Sequence, residues 1–154
     1  MADYLLSTEA DFDGMWAIIK LIEDDLPLLF RLRTDLRSVA GDPSIPLLFE
    51  IKWTYFLDAE NIDQLPTPSQ QDEMTAFEDA VVEALHGNRA ALLVAVNTIE
   101  GERRWLWYCG DREKVEQCIN TALNGNPLYP IRMEITEDPS WSFYMRWLEV
   151  VDAS

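Results

Sequence analysis

The alternation between Leu47 and Phe56 constrains this chain more than any other feature. Phe49, Ile51, Trp53 and Tyr55 take every second position, and Glu50, Lys52 and Thr54 fall between them. Side chains of a strand point to opposite faces in turn, so this segment is a strand with one face in a core and the other in water. Soon afterwards the period changes. Thr67 can cap a helix, Pro68 suits its first position, and Gln70 stands where a capping box wants Glu or Gln. Met74, Phe77, Val81, Ala84 and Leu85 then recur at helical spacing, with Gly87 placed to end the helix.

The remaining punctuation extends this pattern. Met15 to Glu23, ending at Asp24-Asp25, and Leu28 to Arg33, after Pro27, read as strands of a hairpin joined by a short turn, and Gly41-Asp42-Pro43 as a loop. Ala90 to Ile99 is an apolar run, Glu100-Gly101 a turn and Arg103 to Cys109 the returning strand. Asp111 caps a helix with a Val115, Cys118, Ile119, Ala122 stripe, closed by Asn124-Gly125. Tyr129 to Thr136 alternates again. Asp138-Pro139 reads as the cap and first position of a last helix with a Trp141, Tyr144, Met145, Leu148 stripe.

The expected fold is α+β and a single domain over 1–154. Residues 46–137 form a ferredoxin-like split βαβ (βαββαβ) antiparallel sheet. A hairpin at 14–34 extends that sheet, and a helix at 139–150 packs on an edge or end. Two helices cover one sheet face, and the other face is open or available to a partner.

Charge limits the partners. Twenty-eight Asp and Glu against twelve Lys and Arg give −16, which repels nucleic acid and anionic membranes and leaves a basic protein or a divalent cation as the partners charge allows. The N-terminal segment lacks the marks of a signal peptide, and the longest apolar run, Ala90 to Val96, is too short to span a bilayer. Cys109 and Cys118 make no zinc or disulfide pattern, so a cytoplasmic location and ordinary buried thiols are expected.

Sites of chemistry are sparse. His86 is the only histidine, and its place before Gly87 suits a helix end, where a cation meets the dipole. Glycines fall at turns and helix ends, without a phosphate-binding fingerprint. Glu9, Asp11 and Asp13 before Gly14 resemble a calcium loop, but Lys20 replaces the required glutamate. The pairs Asp24-Asp25, Asp72-Glu73, Glu78-Asp79 and Glu137-Asp138 read as turns, caps and solvated helix face. Trp105, Trp107 and Tyr108 could stack bases only if exposed, and alternation sends at least one pair to the core. No catalytic residue, cofactor or metal is expected.

The strongest surface feature lies between Asp58 and Glu83, which holds eight acidic residues and no Lys or Arg. Such a field steers a complementary partner, and Asp58, Glu60, Asp63, Asp72, Asp79 and Glu83 are the expected contacts.

One set of residues carries a resemblance. Glu102-Arg103-Arg104-Trp105-Leu106-Trp107-Tyr108, then Tyr129-Pro130-Ile131, then Asp138-Pro139-Ser140-Trp141-Ser142-Phe143-Tyr144 resemble the bacterial domain-of-unknown-function family numbered 695, over roughly residues 12–150. That family implies no chemistry. By fold order and acidity the chain is more distantly similar to the regulator-B family of ribonuclease E inhibitors. The expected function is a non-enzymatic, acidic binding module, immunity-protein-like or an inhibitor of a basic partner. The competing expectations are an enzyme or ligand binder with a pocket under the hairpin or last helix, and a structural homo-oligomer joined through edge strands.

Overall fold

The structure, a computed structural model, describes residues 15–124 and 129–153. Strands β1 (Trp16–Glu23), β2 (Leu26–Arg33), β3 (Leu47–Thr54), β4 (Ala91–Ile99), β5 (Glu102–Cys109) and β6 (Ile131–Glu137) form one sheet. Their order is β1-β2-β4-β5-β3-β6, and every neighbouring pair is antiparallel. Helices α1 (Pro68–Gly87), α2 (Arg112–Leu123) and α3 (Ser142–Asp152) and a 3₁₀ turn at Ile62–Gln64 complete it. Among the described residues no helix is long and apolar enough to cross a membrane.

The two hairpins close on two-residue turns. Asp24 and Asp25 have φ of 51° and 67°, and Glu100 and Gly101 have 51° and 79°. Two successive left-handed residues match the right-handed twist of the flanking strands. The first hairpin joins the sheet through β2, which pairs with β4 over Leu29–Leu32 against Ala95–Thr98. The hairpin thus extends the sheet as expected.

Strand β5 divides the interior. Trp105, Trp107 and Cys109 pack with Phe77, Val81 and Leu85 of α1 and Val115 and Ile119 of α2. Leu106 and Tyr108 point the other way, to Trp141, Tyr144 and Leu148. Both faces are therefore buried, which corrects the expectation of an open one. Helix α3 lies on the second face rather than an edge, and Leu36 and Ile45 of the β2–β3 connection join it there. The cause is matching apolar area: Phe30, Leu32, Leu92 and Leu106 make that face as greasy as the first. A bulge between Leu93 and Ala95 turns Val94 and Ala95 both toward α3. The β4 run shows no alternation because both of its faces are buried.

Helix α1 starts as its sequence dictates. The Thr67 side chain accepts from the Gln70 amide at 3.2 Å, and Gln70 Oε1 accepts from the Thr67 amide at 2.9 Å. The helix ends at Gly87, as expected, but by a different device. Gly87 is the last helical residue, and the left-handed residue is Arg89, with φ 55°. The Ala90 amide donates to Leu85 O and the Arg89 amide to His86 O, a Schellman closure. The Asn88 side chain takes the Ala84 carbonyl at 2.7 Å, so hydrogen bonds to three carbonyls set the stop in place of the glycine.

The last helix also begins later than Pro139. Residues Asp138 to Trp141 form a turn closed by Trp141 N–H to Asp138 O at 2.9 Å, and Trp141 is left-handed at φ 57°. Asp138 still caps: its carboxylate accepts from the Ser142 and Phe143 amides at 2.8 and 3.1 Å. The turn moves the helix start while keeping the capping group.

Candidate functional site

Between β3 and α1 the chain makes a braced loop. The Tyr55 hydroxyl donates to Gln64 O at 2.7 Å, and the Gly101 amide donates to the same oxygen at 3.2 Å. Asn61 is buried and takes up both ends of its amide. Its oxygen accepts from the Asp58 amide, while its nitrogen donates to Leu65 O and Gln70 Oε1. Gln70 Nε2 then reaches back to Phe56 O at 2.7 Å. These bonds hold Asp63 and Gln64 left-handed, at φ 54° and 62°, a conformation that surrounding structure must enforce on such residues.

The loop displays apolar side chains. Phe56 is 78% exposed and Ile62 73%, among exposed Asp58, Glu60 and Asp63. Sequence reasoning named the acids and missed Phe56 and Ile62. The parity of β3 carried a signal, since Phe56 continues the outward series of Lys52 and Thr54.

Asp72, Asp79 and Glu83 are exposed on α1. At 100° and 1.5 Å per residue they share one stripe, with about 10 Å of rise from Asp72 to Asp79 and about 6 Å from Asp79 to Glu83. The structure brings Asp79 and Glu83 together on consecutive turns. Asp72 sits apart, near the braced loop. Glu78 leaves the solvated face altogether: its side chain is 19% exposed. Its Oε1 accepts from Arg31 Nη2 at 2.8 Å and from the Trp105 indole at 2.7 Å.

That inward turn forms one wall of a groove between the first hairpin and α1. Arg31 also lies 5.7 Å over the Trp16 ring. Deeper in, Arg103 is only 7% exposed. Its Nε donates to Thr98 Oγ1 and its Nη2 to Gln71 Oε1, each at 2.8 Å. The groove encloses about 440 Å³. Burial, and then repulsion from Arg31, lower the Arg103 pKa, against the opposing pull of Glu78. Sequence reasoning missed this cluster because its members come from β2, α1, β4 and β5.

The sequence profile of a family of unknown function, DUF695, matches residues 7–149. The chain belongs to that family. Neither the curated proteins nor the solved structures hold a match to it.

The residues that resemble DUF695 at the C-terminal end turn out to be a fastening. The Trp141 ring stacks on Tyr108 at 3.9 Å and 6°, and its indole donates to Ile45 O at 3.0 Å. Tyr144 donates to Arg33 O at 2.7 Å and accepts from the Leu36 amide at 3.3 Å. The Tyr108 hydroxyl donates to Asp138 Oδ2 at 2.6 Å. Burial raises the Tyr108 pKa, and the Asp138 carboxylate raises it further. With Trp105, Trp107 and Tyr108 all buried, none of these rings is presented to a nucleic-acid base.

Other candidates resolve into structure. His86 Nε2 accepts from the Leu93 amide at 3.3 Å, and the ring meets Trp107 edge-on. His86 stands in the last turn of α1, as expected, with its ring tied to β4 by this bond. Cys109 is buried, which pushes its thiol up to about 11, whereas Cys118 is partly exposed rather than buried. Residues 9–13 of the calcium-like loop lie outside the described residues. Among the described residues no three His, Cys, Asp or Glu side chains converge where a metal ion could sit.

Proposed function

We propose that this chain is a non-enzymatic protein-binding module that docks a basic partner through the loop before α1. The observation that carries this reading is the pair Phe56 and Ile62, exposed on a loop braced by hydrogen bonds and interspersed with Asp58, Glu60 and Asp63. Apolar anchors within a charged rim are the arrangement in which interface energy concentrates. Bracing reduces the ordering cost of association. The partner would offer an apolar pocket ringed by Lys and Arg, and Asp72, Asp79 and Glu83 would steer it. This fits an inhibitor or immunity-like role.

In β3 to β6 the order β6-β3-β5-β4, with α1 and α2 on one face, supports a ferredoxin-like split βαβ unit. Free Cys109 and Cys118 accord with a reducing cytoplasm.

The test is capture from a cell lysate with three immobilised forms: wild type, Phe56→Ser with Ile62→Ser, and Asp58→Lys with Glu60→Lys. All three should keep the same circular dichroism and melting temperature. A stoichiometric basic protein held by wild type, lost from both variants and eluted by salt supports the reading. Equal capture by all three, or none by wild type, defeats it. A further variant, Asp72→Lys with Asp79→Lys and Glu83→Lys, should slow association without abolishing it.

A further inference from the structure

The groove under the first hairpin holds an arrangement that the protein-binding reading does not use. Arg103 is 7% exposed, and its protein partners, Thr98 and Gln71, are both neutral. Among the described residues no carboxylate lies within ion-pairing distance of it. Its hydrogen bonds to described residues run from Nε and Nη2. The other buried arginine, Arg33, is paired to Asp35 at 2.8 Å. A guanidinium withdrawn from water with no carboxylate bonded to it is costly to hold, and it cannot escape by losing its proton.

Arg31 reaches the same groove, and Glu78 already spends one oxygen on Arg31 and the Trp105 indole. Arg31, Arg103 and Glu78 therefore sum to one positive charge, in a chain of net −16. The remaining walls include Ile18, Leu29 and Val96, and the volume of about 440 Å³ is that of a small-molecule site. Ile18, at the outer strand, is 78% exposed.

We propose that this groove binds a small organic monocarboxylate, its two oxygens on Arg103 and its apolar body against Ile18, Leu29 and Val96. A guanidinium fork matches the planar, two-oxygen geometry of a carboxylate. One net positive charge balances one negative charge. A phosphate dianion would be left in excess, beside Glu78.

The experiment is a titration of the ¹⁵N-labelled chain at constant ionic strength with hexanoate, hexanol and inorganic phosphate. The readout is the Trp105 indole N–H signal, because that group bonds to Glu78 on the groove wall. Hexanoate should shift it saturably, with hexanol and phosphate at least ten-fold weaker. Arg103→Gln should remove saturation. Thr75→Trp, which fills the groove from an exposed helix position, should weaken hexanoate at least ten-fold, and it decides the matter if Arg103→Gln does not fold. Absence of a saturable shift, or unchanged binding in Thr75→Trp, overturns the site. Phosphate binding as tightly as hexanoate overturns the carboxylate assignment. None of these positions lies in the 56–63 loop, so this outcome and that of the lysate capture stand apart.

Discussion

The hydroxyl of Tyr108, on a central strand, donates to the carboxylate of Asp138 at 2.6 Å, and the same carboxylate caps the last helix. One side chain thus joins the sheet to α3. Hydrogen bonds to ionised groups contribute about 1.5–3 kcal/mol each. Asp138→Ala should therefore cost about 3 kcal/mol and Tyr108→Phe about 2 kcal/mol, with the double variant less destabilised than the sum. Urea unfolding of the four proteins measures this. Strict additivity would show that the two residues act separately.

Stability should fall at both ends of the pH range. Burial works against the charge on Asp138, but bonds from Tyr108 and the Phe143 and Ser142 amides outweigh it and hold its pKa below 3.8. Asp35 is likewise lowered, by Arg33 acting against burial. A depressed folded pKa stabilises above the unfolded value, so this contribution is complete above about pH 4 and lost as pH drops through the folded values. At the alkaline end burial pushes Tyr55 and Tyr144 up to about 12. Their contribution is present below about pH 10 and lost as pH climbs toward 12. Urea midpoints of wild type and Asp138→Asn should converge below pH 4. Parallel curves would refute the Asp138 assignment.

Two glycines should respond in opposite directions. A Cβ on Gly110 would strike the backbone carbonyl of Ser44, whereas one on Gly87 meets nothing within 4 Å. Gly110→Ala should destabilise by about 2–3 kcal/mol, since backbone cannot yield as a side chain can. Gly87→Ala, inside the helix, should gain about 0.5–1 kcal/mol. Thermal melts suffice, and a neutral Gly110→Ala would mean that the strand end and the β2–β3 connection are looser than they stand here.

What could be read in advance was whatever is local. The Thr67–Gln70 box, the Asp111 cap and the alternation of β3 depend on residues a few positions apart, and all three are present. The end of α1 at Gly87 was legible, but its closure by Asn88 and Arg89 was not, because neither residue type marks a helix stop as glycine does. The covered second face escaped because helical spacing shows that α3 has an apolar stripe, not where it lands. The Arg31–Glu78 pair spans 47 positions and Tyr108–Asp138 spans 30, separations over which no pattern in a single chain announces contact.

The sheet's second face has a bearing on how the molecule is made. During synthesis the strands carrying Phe30, Leu32, Leu92 and Leu106 leave the ribosome before Trp141, Tyr144 and Leu148, the side chains that cover them. Until α3 follows, the nascent chain carries a broad uncovered apolar surface, the condition under which unfinished proteins aggregate or engage chaperones. A premature stop before Asp138 would leave that surface bare permanently.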